Sequence, residues 1–464
     1  MTPDKPITVA ITVLGVVLGL MLPRRYAILP VGLSLALYPS NLLLPPDGLG
    51  LTAQRVIAAV VLLRCLISRE IRTAFKWEIY DTVALVYFVL LFVSQLITQG
   101  IDQALINRGG FFLSALVPFW CVRMLVVDRQ TFYIFIKGFI WAALPLAILG
   151  VIFMTRGYSP YYAIMQHGSF FTDTVRPQSM REFMGQMYYR AHAPFIQCIM
   201  FGWFFAVWVV PATNLYFEKR SVWPWIIPWL FLPIGAISSV ASGPMMVAAL
   251  SFFLLTFFPL RRFLPALTWT AIFLYVAVLV LANRSPMHLI ASFGMDPASS
   301  YYRVGLTDVV LKWGGMSGHW IAGYGEIPGG FYGFRDLCIH WIMLVVFNGL
   351  MGLLGFYALV FISLVGVLRA LRRATTLEGQ WMAWGFLCVL VATNAAMFIV
   401  SLFTEMYFIY HMLLALFCSA PRLIGGSERQ VGVLAEYQGK PVLLRYTLKP
   451  GQRLAVVHPP AKPE

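Results

Sequence analysis

Arginine is the residue type whose placement in this chain points most directly to chemistry. Two long polar segments, residues 155–193 and 284–339, interrupt a series of apolar runs. Seven arginines lie in them: Arg156, Arg176, Arg181, Arg190, Arg284, Arg303 and Arg335. Because a guanidinium group binds phosphate through paired hydrogen bonds, a phosphate-bearing ligand would explain them. Solvated charges paired with nearby acids are the alternative at this point.

Arg190 and Arg303 differ from the other arginines in their position. Each follows two tyrosines, at the junction of a polar segment with an apolar run. A cation held at membrane depth is expensive and usually has a partner. These two arginines are therefore the first candidates for phosphate binding.

The composition determines what kind of protein must position these residues. Of the 464 residues 60% are hydrophobic and only 11% are charged, whereas soluble chains carry about 25% charged residues. Apolar runs of about 20 residues recur along the chain. A soluble enzyme, a disordered chain and a disulfide scaffold are excluded, and the fold class predicted is an all-α polytopic membrane protein. The six cysteines have no metal-ligand spacing, so no metal is expected.

The apolar runs predict 13 transmembrane helices, or 12 if one run is re-entrant. They lie at about 7–22, 26–44, 53–68, 79–98, 110–127, 131–154, 194–216, 223–240, 243–260, 265–283, 340–368, 381–403 and 406–420. One alternating set of connections is short and basic, and the positive-inside rule assigns it to the cytoplasm. The long segments 155–193 and 284–339 then face the periplasm.

Residues 1–420 are predicted to form one transmembrane domain, and residues 421–464 a small β-structured cytoplasmic tail. Alternating stretches at 431–437, 442–448 and 454–457 predict its strands. The net charge of +15 lies mostly in the cytoplasmic connections and the tail. The charge therefore reflects membrane orientation, and no nucleic-acid partner is expected.

Four short segments resemble the superfamily of O-antigen ligases and O-antigen polymerases, which are multi-pass glycosyltransferases. They are residues 189–195, 238–250, 302–306 followed by 322–325, and 338–342 followed by 348–355. The resemblance covers roughly residues 100–420. The chain departs from the family pattern in two places. Ser242 stands where the family has an arginine, and the spacing of the family His or Asp falls on Cys338 rather than His340.

The resemblance implies a saccharide donor linked to undecaprenyl pyrophosphate, used at the periplasmic face of the bacterial inner membrane. An acceptor hydroxyl would attack the anomeric carbon with inversion, and the lipid pyrophosphate would leave. Arg190 and Arg303 would bind the pyrophosphate, with Arg176, Arg181 and Arg335 as second-tier candidates. No cofactor or metal is expected if enough cations surround the leaving group.

The acceptor hydroxyl benefits from a general base, for which histidine or a carboxylate is usual. His340, Asp336 and Glu326 are the three candidates for this role or for orienting the acceptor. The preferred function is a polymerase of exopolysaccharide or O-antigen. The alternatives are a ligase acting on lipid A–core, a polysaccharide transporter or flippase, and a non-catalytic assembly subunit. The expected partners are the lipid-linked saccharide, an acceptor saccharide, the lipid bilayer and other polysaccharide-assembly proteins.

Overall fold

A computed structural model of the chain describes residues 4–45, 50–165, 180–219, 221–281, 297–329, 331–334, 336–425, 429–437 and 440–448. The described residues are mostly helical, and their strands form two small antiparallel hairpins. The predicted helical fold class is confirmed at this level. Two predicted site residues, Arg176 and Arg335, lie outside the described residues.

The helices in the first half of the chain are α1 Asp4–Met21, α2 Leu29–Leu37, α3 Ala53–Ile67, α4 Arg69–Ala74, α5 Ile79–Phe111, α6 Val117–Leu125, α7 Arg129–Arg156, α8 Tyr162–Met165, α9 Cys198–Ala206, α10 Val209–Ala212 and α11 Leu215–Lys219. Those in the second half are α12 Trp223–Ser238, α13 Ser242–Thr256, α14 Leu264–Leu281, α15 Pro297–Leu311, α16 His340–Arg373, α17 Leu377–Ala396 and α18 Thr404–Gly425. The hairpins are β1 Met180–Phe183 with β2 Gln186–Tyr189, and β3 Arg429–Tyr437 with β4 Lys440–Leu448.

Four stretches of the described chain are long and apolar enough to cross a membrane. They are Ile79–Leu125, Arg129–Arg156, His340–Arg373 and Thr404–Gly425. A pair of helices bent by 75°, Ser242–Thr256 with Phe258–Leu274, would add a fifth. These stretches coincide with predicted spans and are compatible with a multi-pass membrane protein.

Two glycines break the long helices at defined points. Gly100 in α5 has φ +79° and Gly349 in α16 has φ +60°. A Cβ atom at Gly349 would lie 2.3 Å from the carbonyl oxygen of Ile321, so a larger residue would collide with the backbone there. Two glycines between α15 and α16 pack closely against other helices: Gly323 lies against the backbone of α16 and Gly325 against Thr98.

A buried ion cluster joins α5, α6 and α18. It lies near the start of α5, at the other end of that helix from the break at Gly100. The side chain of Arg123 is fully buried and donates to both carboxylate oxygens of Asp81, at 3.1 and 2.8 Å. It also donates to Glu78 at 2.8 Å and to the hydroxyl of Ser419 at 3.2 Å. Because Asp81 is itself fully buried, this pair gains its strength in a low dielectric.

The end of the described chain is a hairpin, in which Tyr437 pairs with Lys440. Its strands agree with the predicted strands 431–437 and 442–448. The third predicted strand, 454–457, lies outside the described residues.

Candidate functional site

The irregular linker between α17 and α18, residues 397–403, is the centre of the candidate site. Its backbone binds groups from two distant parts of the chain. The carbonyl of Met397 accepts from the backbone N–H of His340 at 3.1 Å, and that of Ile399 accepts from Nε of Arg303 at 2.6 Å. The hydroxyl of Ser401 donates to the carbonyl of Leu337. The linker therefore places Arg303, from α15, next to the start of α16.

The side chain of Arg303 is half-buried, and its guanidinium keeps hydrogen-bond donors that no described residue uses. One terminal nitrogen, Nη1, donates to the carbonyl and the hydroxyl of Ser299 at 2.7 and 2.6 Å. Together with the bond to Ile399, these contacts fix the plane of the guanidinium. Nη2 has no hydrogen bond to any described residue, so one edge remains available to a ligand.

Asp336 is brought beside Arg303 by the neighbouring tyrosine. The hydroxyl of Tyr302 donates to the carbonyl of Asp336 at 3.0 Å and accepts from its N–H at 3.1 Å. The residue is exposed, and its carboxylate makes no hydrogen bond to a described residue. Desolvation of the carboxyl raises the pKa of Asp336, and the charge of Arg303 opposes that rise. The site thus presents a fixed cation and, within its electrostatic range, a carboxylate that no described residue binds.

His340 reaches the same linker but is fully buried. Its Nδ1 accepts a hydrogen bond from the N–H of Leu402 at 3.3 Å. In a neutral ring this assigns the proton to Nε2, which has no partner and faces away from solvent. The ring packs against Phe356 and Tyr407, with centroids 4.7 and 5.8 Å away. With its lone pair occupied, His340 in this arrangement can donate a hydrogen bond but has no free site to accept a proton.

Glu326, the third candidate base, is exposed. Within the described ranges its carboxylate has no hydrogen bond or ion pair, with the linker or with any other residue. The structure therefore groups Asp336 and His340 around the linker without Glu326.

Arg190 lies directly after β2, and its side chain is half-buried. Its Nε is buried and has no hydrogen-bond partner in the part of the chain that the structure describes, and a buried donor without a partner costs desolvation free energy that a ligand would offset. Arg190 and Arg181 both lie within electrostatic range of the Cys198 thiol at the start of α9. Helix α9 also contacts the far end of the linker, where the hydroxyl of Thr404 donates to the sulfur of Met200 at 3.4 Å.

His192 has a structural position next to Arg190. Its Nε2 lies 2.6 Å from the hydroxyl of Tyr162, and its Nδ1 lies 3.2 Å from the carbonyl of Phe195. Burial, with a smaller contribution from the charge of Arg190, lowers the pKa of His192 to about 4, although the Phe195 carbonyl opposes the shift. The neutral ring thus fixes the chain between α8 and α9, which is a structural role.

Sequence reasoning missed Arg55 and Arg108, which line a polar pocket next to Thr404 and Tyr407. Both arginines stand beside or within apolar runs on the side predicted to face the periplasm. Neither lies in the two long polar segments or follows a pair of tyrosines, although both meet the broader criterion of an arginine next to an apolar run on that side.

Within the described ranges, no three His, Cys, Asp or Glu side chains are grouped so that they could hold a metal ion. No protein-family model matches this chain, and no curated protein matches it.

Proposed function

We propose that this chain is a bacterial inner-membrane polysaccharide polymerase with 12 or 13 transmembrane helices and its reactive site at the periplasmic face. It would transfer a saccharide from an undecaprenyl-pyrophosphate donor to an acceptor sugar hydroxyl. A ligase acting on lipid A–core is the alternative within this class. The observation that carries the proposal is the arrangement of Arg303, whose guanidinium has one edge without a hydrogen bond to any described residue, and the exposed residue Asp336, whose carboxylate lies within its electrostatic range.

In the proposed reaction the acceptor oxygen attacks the anomeric carbon while the bond from that carbon to the pyrophosphate oxygen breaks. The bonding electrons leave with the pyrophosphate, and the hydroxyl proton passes to Asp336. Arg303 and Arg190 would stabilise the charge that develops on the leaving group, a type of contact that contributes about 100- to 1000-fold in rate. Arg181, next to Arg190, is a further candidate for this binding.

His340 fits a positioning role better than that of the base. Its ring accepts from Leu402 and its backbone donates to Met397, so it fixes both ends of the linker that holds Arg303. Asp336 is accessible, and the carboxylate has free lone pairs. We therefore assign the base to Asp336.

The test is Arg303→Ala, with Lys312→Ala as the matched control. Lys312 is a cation just beyond the end of α15, and its side chain is largely exposed and pairs with Asp308. We expect Arg303→Ala to lower polymer formation about 100-fold or more with normal membrane insertion, and Lys312→Ala to leave it unchanged. Normal product from Arg303→Ala would refute the assignment.

The lipid-linked saccharides of a deletion strain separate the two activities of the class. Single repeat units on the carrier lipid would indicate a polymerase. Long lipid-linked chains with uncapped core would indicate a ligase.

A transporter is the second candidate function, favoured by the buried carboxylate of Glu405. This side chain accepts hydrogen bonds from Ser40 and Thr404 and is almost inaccessible to solvent. Two other polar residues within the predicted spans have partners inside the protein: Lys137 pairs with Glu218, and Asn394 accepts from Tyr410. Saccharide flux into vesicles that Glu405→Gln abolishes and Arg303→Ala leaves intact would favour transport.

A further inference from the structure

A polar pocket of about 450 Å³ lies at the outer ends of α3, α5, α16 and α18, as the charge pattern predicts their orientation. Its polar lining includes Arg55, Arg108, Ser114, Asn348 and Thr404, and we call it the Arg55–Arg108 pocket. The volume is in the range of small-molecule sites. Two arginines in one cavity of a membrane protein require an explanation, because cations there are costly unless they are paired.

Arg108 lies on the part of α5 that follows the break at Gly100, and most of its bonding capacity is unused. Nη2 donates to the side-chain oxygen of Asn348 at 2.5 Å. Nε is buried and has no hydrogen-bond partner among the described residues. Among the described residues no carboxylate forms an ion pair with Arg108. The guanidinium therefore lies in the pocket with its charge uncompensated by a direct contact.

Arg55, at the start of α3, is fixed by neutral groups in the same way. Its Nε donates to the hydroxyl of Ser114 at 2.8 Å and its Nη1 to the carbonyl of Gly50 at 2.6 Å. The acid that influences it is Glu405, whose carboxylate is already engaged by Ser40 and Thr404. The two arginines outnumber this single carboxylate, so the described surroundings of the pocket carry a net positive charge. Such a charge favours the binding of an anion.

The rim of this pocket is apolar and open to the surroundings of the protein. Ile106, which lines it, is 65% exposed, and Ile101 and Leu105 on the same part of α5 are 51% and 56% exposed. Phe347 and Met343 line the opposite side. A ligand that fills this cavity would combine a negative headgroup with an apolar chain.

We propose that the Arg55–Arg108 pocket binds the phosphoryl headgroup of a lipid. Guanidinium groups bind phosphate oxygens through paired donors, and both arginines have donors to spare. The exposed apolar rim provides a path for the lipid chain. The site is separate from Arg190 and Arg303, and its occupancy does not depend on sugar transfer. Combined with the proposed function, it would hold the lipid carrier of the acceptor.

The test measures binding of farnesyl diphosphate to the full chain in detergent micelles, with inorganic pyrophosphate as the second probe. We expect two molecules bound per wild-type chain, one in Arg303→Ala and none in Arg303→Ala combined with Arg108→Gln. Arg55→Gln should weaken the remaining site about tenfold or more, since a hydrogen bond to a charged group is lost. Arg55→Gln tests the same pocket from another helix, so the proposal can still be tested if the Arg108 variant does not fold.

Arg64→Gln is the matched control, because Arg64 lies on α3 but donates to the carbonyl of Gly19 away from the pocket. It should leave binding unchanged. The pocket proposal would be overturned if the double variant bound as much farnesyl diphosphate as Arg303→Ala alone. If Arg303→Ala still bound two molecules, that result would count against the proposed function instead. Inorganic pyrophosphate binding as tightly as farnesyl diphosphate would overturn the assignment to a lipid.

Discussion

Replacing Asp81 with asparagine should destabilise this protein more than replacing Glu78, the other carboxylate partner of Arg123, with glutamine. Asp81 and Arg123 are both fully buried and share two hydrogen bonds. Asparagine keeps the size of the side chain but removes its charge, which leaves Arg123 buried with Glu78 as its remaining acid. Breaking a buried pair costs about 3–5 kcal/mol. The bond to Glu78 at 2.8 Å favours the lower end, about 3 kcal/mol.

Glu78→Gln is the matched control, because the same arginine is contacted but Glu78 is 33% exposed. Solvent screening limits the cost there to about 1 kcal/mol. Equilibrium unfolding in mixed detergent micelles gives the free energy of unfolding for both variants. A loss of less than 1 kcal/mol for Asp81→Asn, or an equal loss for both variants, would show that this cluster does not join α5, α6 and α18 as described.

Three further predictions concern the described site and its supports. His192→Phe should remove a pH dependence of stability: because the folded pKa of about 4 lies below the usual value near 6.5, stability is full above pH 6.5 and falls as the pH drops towards 4. Unfolding measured at pH 7.5 and pH 5 should differ by about 2 kcal/mol more for the wild type than for this variant; equal differences would mean that folding does not lower the pKa of His192. Gly349→Ala should destabilise the fold more than Gly100→Ala: both glycines have positive φ, but only at Gly349 would the new Cβ meet a backbone atom within 4 Å. The backbone strain alone costs about 1–2 kcal/mol at either position. The folded yield in micelles gives the order of the two variants, and the reverse order would be inconsistent with the contact to Ile321. Asp336→Asn should lower polymer formation about 100-fold or more while His340→Ala retains part of it, and a dead His340→Ala beside an active Asp336→Asn would reverse the assignment of the base.

The membrane class and many helix positions could be read from the sequence, because the length of an apolar run and the charges at its ends are local properties. Predicted spans at 131–154, 340–368 and 406–420 fall inside α7, α16 and α18. The predicted start of a new helix at 110 differs from the structure, where α5 continues to Phe111 after its break at Gly100. A glycine in an apolar run does not reveal by itself whether the helix ends or bends there.

The candidate site was only partly predictable. Arg303 could be named because an arginine at the end of an apolar run is unusual on the predicted periplasmic side, and Asp336 because a carboxylate can act as a general base. The hydrogen bond that Nδ1 of His340 accepts from the N–H of Leu402 could not be predicted, since the two residues are 62 positions apart. The same holds for Arg108 and Asn348, which are 240 positions apart.

The sequence by itself determined that this chain is basic and forms apolar helices long enough to cross a membrane, with arginines on the side predicted to face the periplasm. Solvation free energy decides those properties, and it depends on composition over about 20 residues. Only the tertiary structure decided which of these groups meet, through the 397–403 linker and the Arg55–Arg108 pocket. Hydrogen-bond partners depend on how distant helices pack, because a bond requires atoms within about 3 Å and no run of sequence specifies that distance.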